Sequence, residues 1–210
     1  MKYLLISGAE VEDYKFLKSE VEKYEPDFII AVDRGADHLN KIGIKADLLI
    51  GDLDSISDDL KAMYKDKILK LKVEKDNTDT AVALDYAIKN NADEIRIYAS
   101  VGSRFDHTLG NVLILKRALN SNIKCKLINE QNEIELHSKS FIFENMIGST
   151  TSFFAMDEDV IITLKGFHYP LNEYRLNKYD PIAISNKVEK ERAEVLFSGG
   201  NVLSVIAKDK

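Results

Sequence analysis

Acids, bases and glycines in this chain collect where short apolar runs end. The run FIIAV leads into Asp33, Arg34 and Gly35, and LLIGDLDS carries Asp52 and Asp54 two residues apart. A third group, EKDNTDTA, offers Lys75, Asp76, Thr78 and Asp79, and SVGSRFDHTLGN offers Gly102, Ser103, Arg104, Asp106, His107 and Asn111. An ionised carboxylate at the end of a buried-looking run resists leaving water unless a positive partner meets it. Side chains at i and i+2 of an extended segment point the same way, so Asp52 and Asp54 can address one ion. Magnesium takes a few carboxylates together with water and phosphate oxygens, whereas zinc wants a Cys/His cluster. Here the histidines at 38, 107, 137 and 168 are scattered, and Cys125 is the only cysteine. The set therefore implies a divalent cation and the phosphates it carries. Asp52, Asp54 and Asp79 are the metal candidates, Arg104 and Lys75 the phosphate partners, and Gly35 and Gly102 permit close backbone approach.

Each of these residues taken singly also has a plain structural reading. Asp52 can close an Asx-type turn, and Thr78 or Asn77 can cap a helix that begins near Asp79. Asp79 is then an acid favoured by a first-turn dipole. Asp33 can cap a helix at 35, Asp106 one at HTLGN, and His107 can be a surface or packing residue. What favours chemistry is their joint placement at four successive strand ends with basic residues beside them.

The elements that must position these residues follow from periodicity. Six short apolar runs, YLLIS, FIIAV, DLLIG, ILKLKV, EIRIYA and CKLIN, alternate with segments of helical spacing. VEDYKFLKSEVEKY sets Tyr14, Leu17, Val21 and Tyr24 on one stripe, and TAVALDYAI and HTLGNVLILKRAL are patterned alike. This predicts an α/β domain over 1–129: a mostly parallel, Rossmann-like sheet with helices on both faces, binding ligands beyond its carboxyl edge. Over 130–210 the runs NEIELHS, SFIFEN, TSFFAM, VIITLKG, AEVLFSG and VLSVIAK predict a C-terminal all-β sandwich, with SGGNV (198–202) read as a hairpin turn. The 29 Lys and Arg against 35 Asp and Glu give a net charge of −6 without a basic block, which argues against a nucleic-acid backbone as partner. No run approaches the ~20 apolar residues of a membrane span. A single cysteine excludes an intrachain disulfide and fits a cytoplasmic protein.

In this order, AVDRGAD, IGDLDS, EKDNTDTAVAL and GSRFDHTLGN, followed by LKGFHYPL and ISN, the chain resembles the thiamine pyrophosphokinase (thiamine diphosphokinase) family over nearly its whole length. The resemblance implies transfer of a pyrophosphoryl group from ATP to the hydroxyethyl oxygen of thiamine, with magnesium, giving thiamine diphosphate and AMP. It implies that 1–129 is the ATP-binding catalytic domain and that 130–210 binds thiamine and dimerises, in a homodimer whose active sites are shared between chains. Carried over by motif, Asp52, Asp54 and Asp79 hold magnesium and act in catalysis with Arg104 and Asp106. ATP falls to Asp33, Arg34, Gly35, Lys75, Asp76, Thr78, Gly102, Ser103 and Arg104; thiamine falls to Asp106, His107, Ser185, Asn186 and Val188. The chain departs from the family at Ser103, where a second glycine is common, and at Val188, where an aromatic suited to stacking is common. Phe167 and Tyr169 are the candidates to replace that stacking. Two alternatives share these motifs: a pyrophosphokinase acting on another heterocycle such as a pterin, and a non-catalytic nucleotide- or thiamine-binding module. An aspartyl phosphatase would carry Asp-x-Asp after the first strand, where LISGAEVED has none.

Overall fold

Apolar runs hidden on both faces make the strands of the N-terminal half. In the computed structural model of the chain, which describes residues 1–52, 54, 56–71 and 77–208, Met1–Glu130 and Gln131–Lys210 form two compact units. The first holds strands β1 (Lys2–Ile6), β2 (Phe28–Val32), β3 (Leu48–Gly51), β4 (Ile68–Lys70), β5 (Glu94–Tyr98) and β6 (Lys124–Ile128). Between them run helices α1 (Tyr14–Tyr24), α2 (Gly35–Lys41), α3 (Asp58–Met63), α4 (Asp79–Lys89) and α5 (Phe105–Asn120). The strands lie in the order β6-β5-β1-β2-β3-β4, and each neighbouring pair is parallel. Leu4 and Ile6 join α1, α2 and α3 in one buried cluster. Leu5 points the other way and is equally buried, with α4 packed across β1, β2 and β3. Helices thus cover both faces of the sheet, as its sequence predicts.

The chain walks outward from β1 through β2, β3 and β4, then returns to lay β5 on the opposite edge of β1. That reversal opens a crevice at the carboxyl ends beside β1, where such sheets bind ligands. Local chemistry supports each helix. Asp13 accepts from the N–H groups of Lys15 and Phe16 at 2.8 and 3.1 Å to start α1, whose stripe buries Leu17, Val21 and Tyr24. Helix α3 has no such stripe: Leu60 is its one buried residue, so hydrophobic spacing does not announce it.

The second unit holds β7 (Asn132–His137), β8 (Phe141–Glu144), β9 (Thr150–Ala155), β10 (Val160–Lys165), β11 (Leu171–Leu176), β12 (Asn186–Lys187), β13 (Arg192–Ser198) and β14 (Val202–Ala207). These are arranged as β12-β9-β14-β7 and β11-β10-β13-β8, all antiparallel. Phe153 and Val202 from one layer meet Ile162 and Val195 from the other in a single core, which makes the predicted sandwich. The SGGNV segment is not a hairpin. Strand β13 pairs with β10 and β8, whereas β14 pairs with β9 and β7, so this turn carries the chain from one layer to the other. Gly199 has φ +82° and a Cβ there would lie 2.0 Å from the Asp159 carbonyl oxygen. The same Gly-Gly chemistry serves a corner as well as a hairpin. Among the described residues no helix is long and apolar enough to cross a membrane.

Candidate active site

A cleft of about 910 Å3 opens at the carboxyl ends of β1, β2 and β5. Its walls are the residues that follow those strands: Ser7 to Val11, Asp33 and Arg34, Ala99 and Ser100, and Gly102 to Arg104. Backbone bonds from Ser7 N to Tyr98 O (2.9 Å) and from Ala9 N to Ala99 O (2.8 Å) extend the β1–β5 pairing into the wall itself. Gly35 lets α2 start directly against β1, since a Cβ there would sit 1.8 Å from the Ile6 carbonyl oxygen. Asp33 and Ala99, at the exits of β2 and β5, have φ +48° and +50°. Non-glycine residues held there store ~1–3 kcal/mol each, a cost often found at binding sites. Helix α4 enters from the side. Thr78 caps it, its hydroxyl accepting from Ala81 N at 3.2 Å, which leaves Asp79 as the first helical residue, on the cleft wall. The Thr80 and Ser7 hydroxyls are 3.0 Å apart and buried, tying α4 to β1. Arg117 of α5 donates to Asp85 at 2.8 Å and Asn77 at 2.7 Å, holding the approach to α4.

Asp52 and Asp54 stand at the end of β3, outside the residues that line this cleft. Their Asx-type turn exists: Asp54 N donates to Asp52 Oδ1 at 3.0 Å. It engages one oxygen of Asp52 and leaves Asp54 exposed. Lys75 and Asp76 lie outside the described residues. Among the described residues, no three His, Cys, Asp or Glu side chains gather closely enough to hold a metal ion alone. The candidate donors at the carboxyl edge, Asp52, Asp54 and Asp79, offer carboxylate oxygens only. Such a set suits a hard cation that completes its shell with water and phosphate oxygens, as magnesium does, and not a closed zinc centre.

Arg104 and Asp106 face each other as a fork, with Nε to Oδ1 at 3.2 Å and Nη2 to Oδ2 at 2.6 Å. The hydrogen bond from Arg104 holds the Asp106 carboxyl below the usual carboxylate range, and the Arg104 guanidinium is raised in turn. An aspartate stabilised as the anion is a weak proton acceptor. Asp106 is not a helix cap: the cap position of α5 is Arg104, which makes no side-chain cap bond. Two residues one turn apart on α5 pin the preceding loop. Thr108 Oγ1 accepts from Gly102 N at 3.0 Å, and Asn111 Nδ2 donates to Ser100 O at 2.7 Å. They hold Gly102, Ser103 and Arg104 on the cleft wall, with His107 beside them.

In the second unit, Ser185 has φ +54° and its N–H donates to Ser152 Oγ at 3.1 Å. Asn186 is 2% exposed. Its Oδ1 accepts from Tyr169 N and Lys187 N, both at 2.9 Å, and its Nδ2 donates to Tyr169 O at 2.7 Å. Asn186 thereby holds the backbone of Tyr169 in place. Val188 bridges to Phe167, and both side chains lie in the core of their unit. Of the aromatic pair proposed from sequence, Tyr169 is outward, 60% exposed, with its ring edge-on to His168 at 4.5 Å. We expect Val188→Trp to destabilise the protein by ~1–3 kcal/mol through overpacking, read as a lower melting temperature. A stable variant with tighter thiamine binding would show instead that position 188 meets ligand.

Sequence reasoning misses the contribution of β1. Ser7, Gly8 and Ala9 carry no charge, and the signal that could reveal them is a run of small residues just after the first strand. It also misses Tyr14, His38 and Lys41, which line the cleft, and Thr108, which secures its loop.

Comparison with known proteins agrees with this geometry. Residues 21–127 match the family model described as thiamin pyrophosphokinase, catalytic domain. Residues 132–202 match the one described as thiamin pyrophosphokinase, vitamin B1 binding domain. The chain is 33% identical over 186 residues to a thiamine pyrophosphokinase of Bacillus subtilis, covering 86% of this chain and 87% of that one. It superposes on the crystal structure of thiamine pyrophosphokinase from Bacillus subtilis with a TM-score of 0.87 at 28% identity, over all of both chains. Yeast thiamin pyrophosphokinase, at 16% identity and a TM-score of 0.79 over 99% of this chain and 86% of that one, shares the fold. With both family models matched in sequence order, and the cleft at the switch point of the first unit, the chain belongs to the thiamin pyrophosphokinase family.

Proposed function

We propose that the protein transfers the pyrophosphoryl group of ATP to the hydroxyl of thiamine, forming thiamine diphosphate and AMP. The observation that carries this reading is the cleft beside β1, which Arg34, Asp79 and Arg104 all line, in a chain of this family. Asp52, Asp54 and Asp79 would hold magnesium, which when bound neutralises phosphate charge and raises the electrophilicity of phosphorus. ATP lies along Asp33, Arg34, Gly35, Gly102 and Ser103, with Thr78 at the start of α4 and with Lys75 and Asp76, which precede it in sequence. An alcohol attacking phosphorus needs in-line positioning and charge stabilisation more than covalent help. Arg104 supplies the latter, exchanging part of its fork with Asp106 for phosphate oxygens. Asp106 orients the thiamine hydroxyl as an acceptor; its depressed pKa argues for orientation over proton removal. His107, Ser185 and Asn186 border thiamine, Asn186 acting through the Tyr169 backbone it holds and Val188 supporting that segment from the core side.

The same reading makes the protein a cytoplasmic homodimer with thiamine sites shared between chains. Two exposed apolar surfaces support the association of chains. On α5, Phe105 (73% exposed), Leu109 (45%) and Leu113 (53%) form a stripe at four-residue spacing, and the second unit exposes Tyr169 (60%), Ile182 (49%) and Ile184 (42%). Such patches mark association surfaces. Mixing an Asp54→Asn protein with a Tyr169→Ala protein should restore activity above that of either alone, through hybrid dimers with one intact site. No gain after verified subunit exchange would mean that each site is built within one chain. The function itself is tested by incubating the protein with ATP, magnesium and thiamine. AMP and thiamine diphosphate in equal amounts are expected; ADP would identify a simple kinase instead.

A further inference from the structure

We propose that His38 is a positioning residue for nucleotide binding, its neutral imidazole fixing the Ala9 peptide that joins the β1 and β5 walls of the cleft. This rests on the reading of that cleft as the ATP site and adds the residue that sets its shape. His38 lies on α2 and is 5% exposed. Its Nε2 is 2.9 Å from the Ala9 carbonyl oxygen, and its Nδ1 is 2.8 Å from the Tyr14 hydroxyl. A carbonyl oxygen only accepts, so Nε2 carries the proton. In the neutral ring Nδ1 then accepts from the Tyr14 hydroxyl, whose oxygen in turn accepts from Lys41 Nζ at 3.0 Å. Hydrogen bonds run in one direction from Lys41 through Tyr14 and His38 to Ala9. Burial, with Lys41 and Arg34 nearby, holds the imidazole below its usual pKa, which favours the neutral ring over an imidazolium donating from both nitrogens.

The Ala9 peptide matters because two elements hold it. Its N–H donates to Ala99 O at 2.8 Å, while its carbonyl is held from α2 by His38. A Cβ on Gly102 would come within 3.1 Å of the Ala9 methyl, so the two walls also touch at this point. Glu10 and Val11 follow Ala9 along the cleft, which Tyr14 and Lys41 also line. Releasing the carbonyl would let this wall turn. His38 reaches no reacting atom on this reading, so its loss should act on ATP affinity and spare turnover.

Two substitutions separate the bonds His38 makes. In His38→Gln the amide nitrogen reaches about as far as Nε2 and can still donate to Ala9. In His38→Asn the side-chain oxygen takes the place of Nδ1, and the bond to Ala9 is lost. Calorimetric titration with ATP and magnesium, without thiamine, should show His38→Asn weakened about tenfold, equivalent to about 1.4 kcal/mol, and His38→Gln within about threefold of wild type. The kcat of both variants should stay within about threefold. Equal weakening in the two, no weakening in either, or a loss confined to kcat would overturn the proposal. Long-range proton–nitrogen NMR of the wild-type protein gives an independent reading at pH 7. A neutral ring protonated on Nε2 is expected, and an imidazolium or an Nδ1-protonated ring would overturn the assignment. Wild-type protein that binds no ATP would remove the nucleotide reading and this inference together; wild-type binding with matched variants would remove the inference alone.

Discussion

Asp52→Asn and Asp54→Asn are each expected to lower turnover at least ~100-fold while leaving the melting temperature within about 2 °C of wild type. The argument separates charge from structure. Asparagine keeps an oxygen where Asp52 Oδ1 accepts from Asp54 N at 3.0 Å, so the turn at the end of β3 survives the first change. Asp54 is exposed, and surface substitutions of that kind stay within ~0.5 kcal/mol, about 2 °C or less for a chain of this size. What both variants lose is negative charge at a site proposed to hold a cation on polyphosphate. Removing one electrostatic contributor from such a site costs ~10²–10³ in rate. The measurement is kcat at saturating ATP, thiamine and magnesium, paired with a thermal melt. Activity within threefold of wild type in either variant would take that aspartate out of the metal set.

Much of the fold is legible because its signals are local. YLLIS and FIIAV are buried runs too short for helices, and VEDYKFLKSEVEKY places its stripe where α1 buries Leu17, Val21 and Tyr24. The order of the strands is not local. Nothing in EIRIYA says that β5 pairs with β1 and not with β4, yet that pairing creates the crevice. Short or polar elements escape as well: α3 buries only Leu60, and β11, LNEYRL, is mostly exposed or half-buried.

The candidate site divides along the same line. Acids at strand ends are visible as residue types at a spacing, and Asp79 and Arg104 do both line the cleft. The small residues after β1 carry no chemical label, although they line the same cleft. Backbone conformation is invisible too: Ala99 at φ +50° looks like any alanine in a strand. The letters of ISNKV also hide direction. Pairing with Phe167 turns Val188 into the core, and Asn186 spends its amide on the Tyr169 backbone, so both are set by long-range contacts that a motif does not encode.

Glycines show most sharply how identical letters carry opposite consequences. Gly35→Ala is expected to destabilise the protein by ~3 kcal/mol or more, at or beyond the upper end of overpacking costs. Its new Cβ would stand 1.8 Å from the Ile6 carbonyl oxygen and 2.7 Å from the carbonyl carbon. Both atoms are backbone of Ile6, fully buried on a central strand, so neither can retreat without moving the sheet. The cost is one of space, and α2 must lift away from β1, carrying Asp33 and Arg34 out of the cleft wall. A fall in melting temperature of ~6–12 °C should therefore accompany a loss of ATP affinity. Gly110→Ala should do the reverse. Gly110 lies inside α5, and a Cβ there meets nothing within 4 Å. Alanine is favoured over glycine in a helix interior by ~0.8–1.0 kcal/mol, so the melting temperature should rise by ~2–4 °C with ATP affinity unchanged. Thermal melts and ATP titrations of the two variants side by side decide the matter. A Gly35→Ala protein as stable as wild type would mean that α2 does not start against Ile6, and the close approach that places Arg34 on the cleft wall would fall with it.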